Sequence, residues 1–155
     1  MKPDVVVVAK PVGGGLPLGA ILAKAETANI LEPGMHGTTF GGNPVACAAG
    51  IAVIQEIMNN GLMKQAEVMG NLLKTKLLDL KKEFPILITE VRGYGCMAGM
   101  ELTQDGEPVV TALREKGILL NCTNQNVLRF LPPLIVQEDQ IVKTTETLKI
   151  IFAGI

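Results

Sequence analysis

Aromatic side chains are scarce in this sequence: they make up 3% of its 155 residues, with one tyrosine, four phenylalanines and no tryptophan. An excess of charge of one sign is also missing, because 14 basic and 15 acidic side chains leave a formal net charge of −1. A protein that binds nucleic acid or an anionic membrane usually presents stacking aromatics or clustered basic side chains. These two shortages argue against nucleic acid or a membrane as the partner.

Cysteine and histidine are equally sparse. Cys47, Cys96 and Cys122 form an odd, widely spaced set, which excludes a CxxC pair and a fully paired disulfide framework. We predict that all three thiols are buried small hydrophobes in a reducing cytoplasm. His36 is the only histidine and has no second ligand nearby in the sequence, so we predict a structural role for it and no metal site.

Long hydrophobic runs are absent as well. The apolar run over residues 5–9 is too short for the hydrophobic region of a signal peptide or for a bilayer span. Such a run is typical of a strand that is covered on both faces inside an α/β sheet. Because that strand needs neighbours, we expect the chain to be part of a larger sheet and to represent a truncated protein or one half of an assembly.

The first part of the chain follows an α/β pattern. Three glycines and two prolines disfavour regular structure in its first loop. Asn43 is a suitable N-cap, and Pro44 suits the first position of a helix. The first half of that helix, residues 45–52, is apolar on every face, which predicts burial inside a large domain or against another subunit. The predicted elements are strands over 5–9 and 19–23, loops over 11–17 and 33–43, and a helix over 44–59.

From about residue 61 the sequence predicts a small α+β unit. Leucines at helical spacing, with lysines between them, indicate an amphipathic helix that Pro85 ends. The glycines beside Tyr94 join two short strands. The predicted elements are helices over 62–83, 108–116 and 137–152, and strands over 86–92, 97–102, 118–120 and 127–131.

Lys10 follows the first apolar strand and precedes three glycines. A P-loop is excluded, because the Walker pattern places its lysine after the glycines and before a serine or threonine. One hypothesis is that Lys10 is a solvated lysine at a strand end. The other is that Lys10 attaches an aldehyde cofactor. Desolvation at a buried strand end can keep its amine partly neutral, and the glycines leave room for a ligand.

A second motif combines hydroxyls, glycines and a helix start in the run HGTTFGGNP, residues 36–44. Thr38 and Thr39, together with N–H groups at the helix start, are suited to bind a phosphate. A threonine-rich turn with an asparagine cap explains the same run equally well. For a carboxylate ligand the residues alone leave Arg92, Arg114 and Arg129 open, although the apolar neighbours of Arg129 favour a partly buried side chain.

Four segments together resemble the class-III (fold type I) aminotransferases, and within them the acetylornithine and ornithine group. AKPVGGGLPLGAILA resembles the signature around the family's cofactor lysine, and HGTTFGGNPVACAAG resembles the loop and helix that follow it. VRGYGCMAGMEL resembles the hairpin of the carboxy-terminal domain, and NVLRFLPPLIV resembles the segment with the substrate arginine. The four lie in the family's order and extend over nearly the whole chain.

The resemblance implies roles for four residues. Lys10 would attach pyridoxal 5′-phosphate (PLP) and move protons in catalysis. Thr39, with Thr38, would bind the phosphate of the cofactor held by the partner subunit, in a homodimer with shared active sites. Arg129 would bind the α-carboxylate of the substrate, since a guanidinium matches a carboxylate with two parallel bonds.

The same resemblance implies the fold and the reaction. The fold would be α/β of fold type I, incomplete, with residues 1–60 from the large mixed-sheet PLP domain and residues 61–155 as the small α+β carboxy-terminal domain. The reaction would move an amino group from N-acetylornithine, ornithine or succinylornithine to 2-oxoglutarate in arginine biosynthesis.

Other readings stay open beside it. One is a non-catalytic remnant, or a partner-binding half that needs a separate amino-terminal polypeptide. The others are a 4-aminobutyrate aminotransferase and a glutamate-1-semialdehyde aminomutase. In the family, the acid that pairs with the pyridine nitrogen, the aromatic that stacks on the ring and the phosphate loop precede the lysine strand. We therefore expect this chain to be inactive by itself.

Overall fold

The structure of the protein is a computed structural model that describes residues 2–155. These residues divide into two compact units, the first ending at Asn60 and the second spanning Gly61–Ile155. Within the described residues no single helix is long and apolar enough to cross a membrane. One bent pair of consecutive helices, Pro44–Asn59 with Leu62–Glu83, meets that requirement by length and composition alone.

The first unit begins with two short strands, β1 (Val5–Val8) and β2 (Ala20–Ala23), which pair antiparallel with Val5 opposite Ala23. Between them the chain forms a 3-10 turn over Lys10–Gly13, where the sequence predicted only irregular loop. That prediction is wrong because a proline is compatible with the first positions of a helix. Gly14 then ends the turn in a left-handed conformation, with its N–H donating to Pro11 O at 3.0 Å.

Two helices complete this unit, a single unpredicted turn α1 (Ala25–Ala28) and the longer α2 (Pro44–Asn59). The bounds of α2 match the predicted helix, and Asn43 caps it as expected: Asn43 Oδ1 accepts from Ala46 N–H at 2.9 Å. Gly50 lets α2 approach the segment after β1, because an added Cβ would lie 2.6 Å from Leu18 Cδ2 and 3.3 Å from Val12 O. This contact fixes the 3-10 turn against the helix.

Burial in the first unit differs from the prediction. Strand β1 is largely exposed, and in α2 the side chains of Val45 and Ile51 are 70% and 57% exposed. The run over 5–9 is therefore not a covered strand within residues 2–155, because no element of this unit packs over both faces of the β1–β2 ladder. An unpartnered apolar surface of this kind is typical of an interaction surface.

The second unit is a four-stranded antiparallel sheet with helices packed against it. Its strand order is β3-β4-β6-β5. In β4 the side chains alternate, so that Ala98, Met100 and Leu102 are buried while the residues between them face away from the helices. The elements are α3 (Leu62–Glu83), β3 (Ile88–Tyr94), β4 (Met97–Leu102), α4 (Glu107–Glu115), β5 (Asn121–Thr123), β6 (Val127–Phe130) and α5 (Glu138–Phe152).

Leucine dominates the core of this second unit. Phe84 and Phe152 meet edge to face beside it, with ring centroids 5.7 Å apart. The helices cover one face of the sheet. The opposite face, here called the outer face, carries Gly99, Glu101 and Arg129 together with the apolar Met97 and Val127. The largest fully buried side chains are Leu77, Ile88, Met100, Leu102, Leu113, Leu128 and Leu148.

Three predictions need correction, two for strands of the second unit and one for the cysteines. The predicted strand over 118–120 is irregular, and the edge strand is β5 three residues later. Strand β3 begins at Ile88 rather than at residue 86. Of the three cysteines only Cys96 is buried; Cys47, in the first unit, and Cys122 are partly exposed, because each lies at the margin of its unit's packed side chains.

Candidate active site

Lys10 is the first residue of the 3-10 turn and has φ +54°, a left-handed conformation that is uncommon for residues other than glycine. Its side chain is exposed. The expected desolvation of this amine is therefore not found within the described residues, because no side chain of the first unit packs over it. The turn places Lys10 two residues after the end of β1.

The glycines after Lys10 leave its surroundings open. Gly15 has φ +102°, and an added Cβ there would meet nothing within 4 Å. Gly14 faces α2 instead, where an added Cβ would lie 2.9 Å from Val53 Cγ2. One glycine thus serves the packing of the loop against α2, and the next leaves space through which a ligand can approach the backbone.

Thr38 and Thr39 lie in the exposed loop before α2. Thr38 O accepts from Gly41 N–H at 3.4 Å, which bends the loop into a turn. Neither threonine hydroxyl has a hydrogen-bond partner among residues 2–155. The two hydroxyls are therefore free to donate to an anion.

The start of α2 has fewer free backbone N–H groups to donate to an anion than the sequence suggested. Pro44 has no N–H, and the N–H of Ala46 is occupied by the Asn43 side chain. Among the described residues only the Val45 N–H remains unpaired in the first three helical positions. Any phosphate bound at this loop would therefore depend mainly on Thr38 and Thr39.

Arg129 lies in β6 of the second unit, in a different unit from Lys10, Thr38 and Thr39. Its side chain is exposed, so the expected partial burial is wrong: its apolar neighbours Leu128 and Phe130 point to the core, while alternation along the strand turns Arg129 to the outer face. Its Nε donates to Asn121 Oδ1 at 3.2 Å.

Four residues form a row across the sheet, here called the arginine row. Arg92 pairs with Gly99, Gly99 with Arg129, and Arg129 with Asn121. Register partners point to the same face, so both arginines lie on the outer face with a glycine between them. The sequence supplied both arginines as candidates, but it could not give the strand register that aligns them.

Arg92 is paired with two carboxylates on the outer face. One of its terminal nitrogens lies 2.7 Å from Glu101 Oε2 and 2.8 Å from Glu90 Oε2. The hydrogen bond with Glu101 raises the pKa of Arg92, and Glu90 adds to this effect. Arg129 has no ion pair among residues 2–155, so it is the arginine of the row that is available to a ligand carboxylate.

A cavity of about 450 Å³ adjoins Arg129 and Asn121 in the second unit. Its other lining residues are mostly apolar and come from residues 118–120 and 130–133, from Leu73 of α3, from Val136 and from α5. His36 is exposed in the Thr38 loop. Residues 2–155 contain no group of three or more His, Cys, Asp or Glu side chains that could hold a metal ion.

Comparison with known proteins decides the family. The family model described as Aminotransferase class-III matches residues 1–152. The chain belongs to the class-III aminotransferases. The resemblance found in the four sequence segments is thereby confirmed, and so is the α/β fold type I assignment, because solved class-III enzymes superimpose on the chain as described next.

Curated class-III relatives are similar along almost the whole chain. The acetylornithine aminotransferase of Aquifex aeolicus is 46% identical over 149 residues, which cover 96% of this chain and 38% of the relative. That of Methanocaldococcus jannaschii is 44% identical and covers 100% of this chain and 39% of the relative. The chain thus spans about two fifths of the length of the curated relatives it matches.

Solved class-III structures have the same fold. An acetylornithine aminotransferase from Elizabethkingia anophelis matches with a TM-score of 0.89 and 31% identity, covering 100% of this chain and 42% of that one. The ornithine aminotransferase of Toxoplasma gondii matches with a TM-score of 0.89 and 31% identity, covering 98% of this chain and 37% of that one.

Class-III aminotransferases are PLP-dependent, and the donor groups of this chain fit that cofactor. An aldehyde requires an amine, which the exposed side chain of Lys10 provides. A phosphate requires hydrogen-bond donors, which Thr38 and Thr39 provide with hydroxyls that have no partner among residues 2–155. The chemistry of these side chains is therefore compatible with PLP.

Proposed function

We propose that this protein transfers an amino group from N-acetylornithine, or from ornithine or succinylornithine, to 2-oxoglutarate, as a step of arginine biosynthesis in the cytoplasm. The observation that carries the proposal is the 46% identity to a relative named acetylornithine aminotransferase over 96% of the chain. Support also comes from the lysine and glycine motif, which lies within the matched residues.

Lys10 is the proposed catalytic residue. When bound, PLP supplies an electron sink for the carbon from which a proton is removed. The Nζ of Lys10 would attach the cofactor. Once released, it would take the proton from the substrate carbon and return it to the carbon on the other side of the transferred nitrogen. The left-handed backbone at Lys10 supports this role, because strained residues concentrate at functional sites.

Thr39, together with Thr38, would hold the phosphate group of the cofactor through their hydroxyls. These residues would act on the cofactor attached to the partner subunit of a homodimer. The shortage of free N–H groups at the start of α2 makes the hydroxyls the principal donors of this loop.

Arg129 would bind the α-carboxylate of the amino-acid and 2-oxo-acid substrates. Its Nε is directed by Asn121, and its terminal nitrogens have no carboxylate partner within residues 2–155. A guanidinium oriented in this way can form two parallel bonds with a carboxylate.

The test is a steady-state assay of the purified native protein with PLP and 2-oxoglutarate. Acetylornithine, ornithine, succinylornithine and 4-aminobutyrate are compared as amino donors, and glutamate-1-semialdehyde is tested for isomerisation. The proposal expects the highest kcat/KM for acetylornithine. Preference for 4-aminobutyrate or glutamate-1-semialdehyde would contradict it, and a native mass that includes a separate polypeptide would favour the partner-binding alternative.

A further inference from the structure

Gly99 is the only member of the arginine row without a side chain, and the second unit does not itself require glycine there. An added Cβ would lie 3.4 Å from Val127 Cγ1 and 3.9 Å from Arg92 Cγ, at ordinary van der Waals separations. Gly99 is also not among the glycines with positive φ. An alanine therefore fits this position both sterically and conformationally.

Two other glycines of the same unit show the contrast. Gly93 has φ +143°, and its added Cβ would overlap the Met97 carbonyl oxygen. An added Cβ at Gly70 would overlap the Gly95 carbonyl oxygen. Close packing requires glycine at Gly93 and Gly70, but it does not require glycine at Gly99. A glycine in a strand that packing does not require often marks the close approach of a ligand.

The outer face has no side chain in this row between Arg92 and Arg129, and this position is here called the slot. The two arginines are two strands apart, a separation of about 10 Å from the usual strand spacing. Arg129 is the available cation on one side. On the other side, the two carboxylates of Glu90 and Glu101 against the one guanidinium of Arg92 leave one net negative charge.

We propose that Gly99 is a specificity-determining position, which admits the carbon chain of the ligand whose carboxylate Arg129 binds. This inference rests on the proposed role of Arg129. The ligand class is the unbranched amino acid that donates the amino group, which lies over Gly99 with its carboxylate at Arg129 and its opposite end towards Arg92. The negative wall around Arg92 disfavours a second carboxylate at that end, so it fixes the direction in which the ligand lies.

The test is an NMR titration of the full 155-residue chain with 5-aminopentanoate, which has one carboxylate and an amino group at the opposite end, at constant ionic strength. The wild-type chain should show saturable shifts at the Gly99 amide and the Arg129 Nε–H. Gly99→Val should weaken binding by about tenfold or more, the scale of one lost charged hydrogen bond, and Gly99→Ala by less. Gly154→Val is the matched control, because Gly154 lies outside the sheet and has no positive φ.

The outcomes separate this inference from the proposed function. If Gly99→Val binds 5-aminopentanoate as tightly as wild type while Arg129→Gln does not bind it, the slot is wrong and the role of Arg129 stands. Binding retained by Arg129→Gln would contradict both the slot at Gly99 and the proposed role of Arg129. If Gly99→Val does not fold, an unchanged dissociation constant for Gly99→Ala overturns the slot. A wild-type chain without saturable shifts also overturns it, and the transamination assay then decides the proposed function independently.

Discussion

The left-handed backbone conformation of Lys10 lowers the stability of the first unit. A single residue in a sparsely populated conformation costs about 1–3 kcal/mol, so the surrounding contacts must hold it there. The Gly14 N–H to Pro11 O bond and the packing of Gly50 on Val12 and Leu18 provide such contacts. Motif spacing singled out Lys10 as the candidate lysine, but it carried no signal of this backbone conformation, which depends on tertiary contacts.

The first prediction concerns the lysine that attaches the cofactor. Borohydride reduction of the PLP-loaded native protein should fix the cofactor on the peptide that contains Lys10, visible as a mass shift. Lys10→Ala should abolish turnover, since attachment and proton transfer are lost together. Lys24 is the internal control, because its Nζ is paired with Asp4 Oδ1 at 2.7 Å. An adduct on Lys24 instead of Lys10 would overturn the assignment.

The second prediction concerns the substrate carboxylate. Arg129→Lys in the native protein should raise KM for glutamate and 2-oxoglutarate strongly, because lysine lacks the planar fork and loses a charged hydrogen bond of about 1.5–3 kcal/mol. PLP binding, followed by absorbance, should stay nearly unchanged. Arg114→Lys is the matched control, since Arg114 lies in the last turn of α4, away from the sheet. Equal kinetics of Arg129→Lys and wild type would remove Arg129 from the site.

At the scale of secondary structure, elements with local signals were predictable. Helix α2 has its cap, its proline and its bounds in the sequence, and Asn43 makes the expected bond to Ala46. The strand predicted over 118–120 fails for a non-local reason. Extending the β5–β6 ladder from Asn121 and Arg129 would place Ile118 opposite Pro132, which has no N–H to donate. An apolar run alone does not reveal such a partner.

The third prediction concerns the contact between α3 and the β3–β4 hairpin. Gly70→Ala should destabilise the second unit by about 1–3 kcal/mol, the usual cost of overpacking, because its Cβ would overlap the backbone of Gly95. Urea denaturation followed by circular dichroism measures the change. Asn71→Ala, at the adjacent exposed position of α3, is the control and should leave the midpoint nearly unchanged. A Gly70→Ala midpoint equal to wild type would contradict the close contact.

At the scale of the whole molecule, the first unit exposes more apolar surface than its composition suggested. The sequence predicted that β1 and α2 are covered, and within residues 2–155 both remain largely uncovered. The apolar pattern predicted surfaces with a covering partner, and the structure leaves these apolar side chains without one among residues 2–155. It could not tell whether that partner lies in the same unit or in another subunit, because burial depends on the assembly.

The fourth prediction follows from these surfaces: the chain forms a homo-oligomer, at least a dimer, at micromolar concentration. Analytical ultracentrifugation measures the mass. Ile51→Glu, on the exposed apolar side of α2, should weaken association, because a buried carboxylate is costly without a partner. Asn71→Glu adds the same charge at an exposed position of α3, in the other unit, and should not change the mass. A well-folded wild-type monomer alone would count against the prediction.

The last prediction is that the isolated 155-residue polypeptide does not sustain transamination. Within residues 2–155 the Lys10 side chain is exposed and has no hydrogen bond to a carboxylate, so water has free access to the atoms that would react. Exclusion of water strengthens the electrostatic interactions on which such chemistry depends. The uncovered β1–β2 ladder would also favour association of chains over a fixed site.

The measurement is glutamate production over hours by the purified polypeptide with PLP, acetylornithine and 2-oxoglutarate. Lys10→Ala is the control for reaction of free PLP in solution, and equal background rates of the two polypeptides are expected. Sustained turnover that disappears in Lys10→Ala would contradict the prediction. It would mean that association of the exposed valine strands and α2 covers Lys10 well enough to form a working site.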